Sequence, residues 1–211
     1  MKVELSELER DALAEAFNLS LGQAAASFAD IVNEEIQVSV PQVEIILRQE
    51  LMLRLGSAGQ PDQDESLCAI SQTFRSADEQ IAAEALLLFP ERGGLEIVRR
   101  MLGESSTPLE QITELEQDAL GEIGNIIINA CMNSLSDVFD VEMVGTLPSV
   151  SRFDLQELFD DKDGNMHVLV AQIGMRLSTQ DITGHMLILM DLPSLRSVID
   201  RIQVFFGLNA G

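Results

Sequence analysis

Apolar and polar residues follow two different periods along this chain of 211 residues. In two long segments, up to about Asn33 and up to about Phe139, apolar residues recur at the three- and four-residue spacing of an amphipathic helix. Shorter apolar runs separated by polar residues predict two antiparallel hairpins. These hairpins are 67–75 with 81–89 and 166–177 with 182–190. After each hairpin a further helix is expected, over 95–102 and over 193–206.

Capping signals indicate where the two long helices begin. The segment Ser6-Glu7-Leu8-Glu9 fits a capping box, with Ser6 as the N-cap and Glu9 reaching back to its backbone. The second long helix begins either at Thr107, which Pro108 follows, or at Thr113. Both long helices are therefore expected to begin at a hydroxyl side chain.

A short strand is expected after each long helix. Residues 37–40 alternate in polarity and predict a strand that ends at Pro41, because proline cannot donate to a sheet ladder. Residues 142–147 predict the corresponding strand before Pro148. The segment 43–55 fits either a helix or a strand followed by a turn.

One polar pattern, D-x3-E-x2-N-x22-P, stands in each half of the chain. It occurs at Asp11, Glu15, Asn18 and Pro41, and 107 positions later at Asp118, Glu122, Asn125 and Pro148. The surrounding apolar residues match as well, with Leu8 corresponding to Leu115. An internal repeat of two units, about 1–104 and 105–211, is therefore predicted.

The order helix, strand, hairpin, helix, taken twice, predicts an α+β fold. We expect a single pseudo-twofold domain over 1–211, with one antiparallel sheet, or two joined half-sheets, covered by the long helices. The continuous apolar run 84–89 also fits a buried helix. By composition, 56–62 is expected to be a loop and 160–165 a turn.

Charge and composition exclude several classes of partner. The hydrophobic content of 46% is that of a globular protein. The formal charge of −22, from 13 Lys plus Arg against 35 Asp plus Glu, argues against nucleic acid and against an anionic membrane surface. We expect no apolar leader and find no run of 18 apolar residues, and Cys68 and Cys131 resemble buried reduced thiols. A cytoplasmic protein is expected, although two cysteines also allow a disulfide.

The repeated stripe can supply acceptors and an amide, but no strong nucleophile. On a helix its three members lie within about 60° of one another. No Ser–His or Cys–His arrangement is evident, and His167 and His185 fall in predicted strands. Carboxylates four residues apart without a histidine are a weak sign of a metal site, so none is predicted. A solvated helix face remains the alternative to a functional surface, and the repetition favours function.

Both copies of the motif, on long helices in a chain of this length, resemble the CheC phosphatases of bacterial chemotaxis, within the CheC/CheX/FliY superfamily. The resemblance rests also on Glu122-Ile123-Gly124-Asn125 and on the segment 38–45, and it covers essentially the whole chain. It implies a fold with two active helices on one monomer. It further implies phosphorylated CheY-type response regulator as the substrate, and the deamidase CheD as a possible second partner.

The resemblance implies a role for each residue of the stripe. Asn18 and Asn125 would hold the attacking water, and Glu15 and Glu122 would pair with a lysine of the regulator. The remaining members would serve docking or structure, with Asp11 and Asp118 in docking or helix orientation and Pro41 and Pro148 in ending the strands. No cofactor of its own is implied, because the regulator would bring its Mg²⁺.

The first copy departs from the family pattern, because Phe17 stands where the second copy has Gly124. A bulky residue beside Asn18 predicts that the second site is the stronger. The competing interpretation is a non-catalytic protein of this fold, either a FliM/FliY-type flagellar-switch component or an adaptor that binds CheD or the regulator. Against it, we expect no assembly domain after Gly211, and a scaffold has no need of the full stripe in both halves.

Overall fold

The structure of the protein is a computed structural model. It describes residues 5–32, 35–51, 67–102, 113–153, 167–177 and 180–207. The loop predicted at 56–62 and the turn predicted at 160–165 lie outside these residues.

Helices and strands follow the predicted order of helix, strand, hairpin and helix in each half, with one additional strand, Ser149–Phe153, in the second half. The helices are α1 (Glu7–Val32), α2 (Glu91–Leu102), α3 (Glu114–Phe139) and α4 (Leu192–Phe205). The strands are β1 (Gln37–Leu47), β2 (Leu67–Ser76), β3 (Ala82–Pro90), β4 (Met143–Gly145), β5 (Ser149–Phe153), β6 (His167–Leu177) and β7 (Gln180–Met190). The α+β class is confirmed, and the run 84–89 is a strand.

All the strands pair antiparallel in a single sheet. The order is β1-β6-β7-β3-β2-β4, and β5 also pairs with β2 beyond the end of β4. Both predicted hairpins are present, β2 with β3 and β6 with β7. Pairing of β3 with β7 joins them at the centre. The order is the one that a twofold repeat would produce, while the repeat itself stays a prediction.

Helices α1 to α4 cover one face of this sheet. Alternate residues of the strands, among them Ile70 of β2 and Ile188 of β7, share one buried cluster with apolar residues of the helices. Phe17 of α1, Ile123 of α3 and Val198 of α4 belong to that cluster and are at most 2% exposed. This burial fixes which side of each helix faces the sheet, and therefore which side faces away.

The expected caps fix the starts of both long helices. In the first, Ser6 N donates to Glu9 Oε2 at 2.6 Å, and Glu9 N donates back to Ser6 Oγ at 3.3 Å. In the second, Thr113 and Glu116 form the same box. Of the two predicted starts, the helix therefore uses Thr113 as its N-cap.

Arg201 of α4 ties three elements together. Its Nη1 donates to the carbonyl oxygen of Phe139, at the end of α3, at 2.7 Å. Its Nη2 donates to the carboxylate of Asp78, in the β2–β3 turn. The guanidinium thereby caps α3 and links it to the first hairpin.

The prediction that a strand ends at Pro41 is wrong. Strand β1 continues to Leu47, and its register with β6 shifts between Ser39 and Gln42, which is the position of a β-bulge. A bulge leaves a residue outside the ladder, so the missing N–H of proline is tolerated there. The segment 43–47 is thus strand, and residues 48–51 are helical.

The strand predicted over 142–147 is present but shorter than expected. Strand β4 ends at Gly145, and Pro148 lies in the break between β4 and β5. Strand β5 itself was not predicted. Helix α2 also begins earlier than predicted, at Glu91.

Both cysteines are buried thiols outside any disulfide, as expected. Burial raises the pKa of the Cys131 thiol to about 12. Within the described ranges, no helix is long and apolar enough to cross a membrane.

Candidate functional site

The six polar residues of the repeated stripe all reach the surface. On α1, Asp11, Glu15 and Asn18 are exposed, and on α3 so are Asp118 and Glu122. Asn125 is half-buried. Each long helix therefore presents two carboxylates and an amide on the side away from the core, as the 3.6-residue period predicts.

An exposed leucine extends the stripe in both copies. Leu8 is 66% exposed and Leu115 is 56% exposed, each three positions before the aspartate of its stripe. A solvated helix face does not require an apolar residue there, whereas a surface that binds a protein benefits from one. The two leucines occupy matching positions in the repeat, and no functional role was predicted for them.

The side chain of Asn125 is held by two hydrogen bonds to its oxygen. Gln72 Nε2, from β2, donates to Asn125 Oδ1 at 3.2 Å, and Asn129 Nδ2, one turn along α3, donates to the same oxygen at 2.8 Å. Gln72 is 3% exposed, and its Nε2 also donates to the carbonyl oxygen of Thr146 at 2.9 Å.

The loop between β4 and β5 borders this cluster. The backbone N–H of Thr146 donates to the carbonyl oxygen of Thr73 at 2.9 Å, and Thr73 N donates to Thr146 Oγ1 at 3.1 Å. Leu147, the next residue, is 88% exposed. The break that contains Pro148 is thus linked to Asn125 through Gln72, and it exposes an apolar side chain at Leu147.

Gln72 and Asn129 were not among the residues predicted for the site. Asn129 lies four residues after Asn125, so helical spacing alone would have placed the two side chains together. Gln72 lies 53 positions away in sequence and was brought there by the sheet. No local pattern identifies such a contact.

The prediction that Phe17 weakens the first site by crowding Asn18 rests on a wrong placement of this side chain. Phe17 is fully buried in the core beneath α1, so it does not crowd the surface around Asn18. Gly124 is also buried, and a Cβ built there would lie 2.6 Å from Ile70 Cδ1. Glycine at this position therefore lets α3 approach β2 closely and does not open the surface to a partner.

The two long helices pack against each other. Ser134 Oγ, from α3, donates to the carbonyl oxygen of Ala16, on α1, at 2.7 Å. Both stripes therefore belong to one helical layer on one face of the sheet.

Other ionisable groups serve the fold. Burial raises the pKa of Glu116, but hydrogen bonds from the Thr113 backbone and from Arg99 lower it by more, and the net shift is downward. Arg99 Nε lies 2.9 Å from Glu116 Oε1. Burial lowers the pKa values of His167 and His185, in agreement with ordinary strand residues. Across the described residues, no group of three or more His, Cys, Asp or Glu could hold a metal ion.

The sequence is similar to those of two curated proteins of Bacillus subtilis. No protein-family model matches the chain. The chain is 22% identical over 200 residues to the CheY-P phosphatase CheC of Bacillus subtilis, an alignment covering 90% of this chain and 91% of CheC. It is 26% identical over 155 residues to the flagellar motor switch phosphatase FliY of the same organism, covering 73% of this chain but only 38% of FliY.

The fold is similar to that of solved FliY and FliM structures. The crystal structure of Thermotoga maritima FliY matches with a TM-score of 0.74 and 17% identity, over 95% of this chain and 98% of that one. The FliM middle domain of H. pylori matches with a TM-score of 0.66 and 13% identity, over 93% and 99%. The architecture is thus of the FliY/FliM class. With the sequence similarity added, the chain fits the CheC/CheX/FliY family.

Proposed function

We propose that this protein is a phosphatase that hydrolyses the aspartyl-phosphate of a CheY-type response regulator. One observation carries the proposal: two packed helices each expose a glutamate and an asparagine at the same spacing, and the second asparagine is held in place by neighbours. The relative covering nine-tenths of the chain is named as a CheY-P phosphatase.

The proposed chemistry asks little of the phosphatase itself. An acyl phosphate is reactive, and a Mg²⁺ and a lysine on the regulator would neutralise the phosphoryl oxygens. What remains is to hold a water in line with the bond that breaks, which the carboxamides of Asn18 and Asn125 would do. No base on this chain is required for that role.

Docking would use the rest of the stripe. Glu15 and Glu122 would each pair with a lysine of the regulator through a charge-assisted hydrogen bond. Asp11 and Asp118 would contribute to docking or to helix orientation. The exposed leucines that precede the stripes would add apolar contact area at the edge of each docking surface.

The test is the lifetime of a phosphorylated regulator with the double variant Asn18→Ala, Asn125→Ala. We expect the accelerated loss of phosphate to disappear while the circular dichroism spectrum stays that of the folded protein. Asn133→Ala is the matched control, because Asn133 is an exposed asparagine on the same helix outside the stripe. Acceleration that persists in the double variant would refute the water-holding role.

The two single variants rank the sites. We propose that the second site is the stronger, so Asn125→Ala should lose more activity than Asn18→Ala. A larger loss from Asn18→Ala would reverse this ranking.

A second candidate is supported by the similarity of the fold to FliY and FliM. In it, the protein binds a regulator, CheD or flagellar-switch partners without turnover. The same assay separates the candidates: the wild-type protein would bind the phosphorylated regulator, or CheD, in calorimetry without shortening the lifetime of the phosphate. In either case we propose that it acts in the cytoplasm, where these partners would be found.

A further inference from the structure

We propose that Gln72 and Asn129 are positioning residues that hold Asn125 with only its Nδ2 group turned toward a docked phosphoryl group. This inference rests on the proposed phosphatase function and specifies how the second site works. It also provides a physical reason for a difference between the two sites.

The orientation of Gln72 is set by a backbone group. Its side-chain nitrogen lies 2.9 Å from the carbonyl oxygen of Thr146, and a carbonyl can only accept a hydrogen bond. The atom of Gln72 that faces Thr146 must therefore be Nε2. Gln72 Oε1 is buried and has no hydrogen-bond partner among the described residues, so exchanging the two ends would set oxygen against oxygen.

The orientation of Asn125 follows from that of Gln72. The same Nε2 lies 3.2 Å from Asn125, so the atom that it meets must be the acceptor Oδ1. Asn129 Nδ2 donates a second hydrogen bond to this oxygen at 2.8 Å, so both of its lone pairs are used. Within the described part of the chain, nothing accepts a hydrogen bond from Asn125 Nδ2, so the half-buried side chain offers a donor and no acceptor.

Because Asn125 offers only its Nδ2–H group, it can act on the attacking water only as a hydrogen-bond donor. Nδ2–H would donate to one lone pair of the water oxygen and leave the other lone pair directed at phosphorus. The new P–O bond forms as the acyl phosphate P–O bond breaks, and the electron pair of that bond stays on the aspartate carboxylate of the regulator. Both protons of the water leave with the phosphate product as H₂PO₄⁻, and Asn125 takes none.

At the two corresponding positions of the first half, neither residue has a side chain that can donate a hydrogen bond. By the 107-residue spacing, Gly22 stands where the second site has Asn129, and glycine has no side chain to donate. Gln72 lies opposite the break between β4 and β5, and the residue opposite the corresponding bulge in β1 is Ile173. Ile173 is 1% exposed and apolar, so it supplies no hydrogen bond.

The test measures kcat and KM for regulator-phosphate hydrolysis in Gln72→Met and Asn129→Leu. Each variant removes one donor at similar side-chain volume. We expect kcat to fall about three- to tenfold in each, which is the loss of one oriented hydrogen bond, and KM to stay within about twofold. A purely structural role would change the urea midpoint and leave kcat unchanged.

Two matched controls separate positioning from packing. Gln117→Met removes another glutamine that joins α3 to the sheet, through Val150, without touching Asn125. Asn133→Leu makes the same replacement one turn beyond Asn129. Both controls should retain kcat. If Gln117→Met lowers kcat as much as Gln72→Met does, the positioning role is refuted.

The gain-of-function arm uses the first site in an Asn125→Ala background. Gly22→Asn should raise the remaining kcat at least about twofold above Gly22→Ala, because only asparagine adds the donor at i+4. Equal kcat values for the two variants would refute the claim that this donor limits the first site.

If Asn125→Ala itself leaves the rate unchanged, the proposed function of the second site fails. If Asn125→Ala lowers the rate while Gln72→Met and Asn129→Leu do not, only the positioning inference fails.

Discussion

Gly124→Ala tests the close approach of α3 to the sheet, with Gly22→Ala as its matched control. Both glycines lie in the interior of a 26-residue helix. A Cβ at position 124 would lie 2.6 Å from Ile70 Cγ2 and 2.8 Å from Ile70 Cβ, whereas no described atom lies within 4 Å of a Cβ at position 22. The Cβ of Ile70 belongs to the rigid part of a fully buried side chain, so either α3 or β2 must move.

The magnitude follows from two opposing effects. Alanine is favoured over glycine inside a helix by about 1 kcal/mol, and this gain applies at both positions. Overpacking a core costs about 1–3 kcal/mol, and it applies only at Gly124. The helix contribution cancels in the difference between the two variants, which should therefore be about 1–3 kcal/mol, with Gly22→Ala the more stable.

Urea unfolding followed by circular dichroism measures this difference directly. In thermal unfolding, we expect the melting temperatures of the two variants to differ by about 3–9 °C for a chain of this size. If Gly124→Ala were as stable as Gly22→Ala, α3 would not lie as close to Ile70 as described, and the packing argument would fail.

Three further outcomes follow from buried groups. Glu116→Gln should lower the free energy of unfolding by about 1–2 kcal/mol at pH 7, because it weakens the hydrogen bond to Arg99. Folding lowers the pKa of Glu116 below 4.5, so the wild-type protein should be the more stable one above pH 4.5. The difference in urea midpoint should vanish as the pH falls through the lowered pKa. Phe17→Ala should cost about 3–5 kcal/mol in urea unfolding, whereas Leu19→Ala, 64% exposed, should cost little. Cys131 should react with a thiol reagent at pH 8 only as fast as the protein unfolds, because its thiol stays protonated and buried.

Features of the fold that depend on local sequence were predicted well. Hydrophobic periodicity located both long helices and both hairpins, and the capping box at Ser6 gave the start of α1 correctly. These features depend on neighbouring residues in the chain, so the sequence contains the information directly. The N-cap choice between Thr107 and Thr113 was left open, since both segments carry the same signal.

Features that depend on pairing between strands were predicted poorly. Pro41 was expected to end a strand, yet β1 accommodates it at a bulge whose position depends on the register with β6. Strand β5 is explained only by its pairing with the far end of β2. Gln72 reaches Asn125 for the same reason, because the sheet brings β2 beneath α3. A single sequence does not reveal register, so neither the bulge nor this contact was accessible from it.

The same glycine connects the packing of α3 to the chemistry proposed for its surface. Gln72 is a short, buried link that reaches Asn125 at 3.2 Å only because α3 lies close to β2, and Gly124 permits that approach. A shift of α3 by a few tenths of an ångström to admit a Cβ would lengthen this hydrogen bond, since bonds of this kind weaken beyond about 3.2 Å. Gly124→Ala should therefore lower kcat of the second site without changing any residue of the exposed stripe. In an Asn125→Ala background, where only the first site remains, the same substitution should leave kcat unaltered. A loss of activity that persists in that background would mean that the glycine acts on the whole fold, and the link through Gln72 would be refuted.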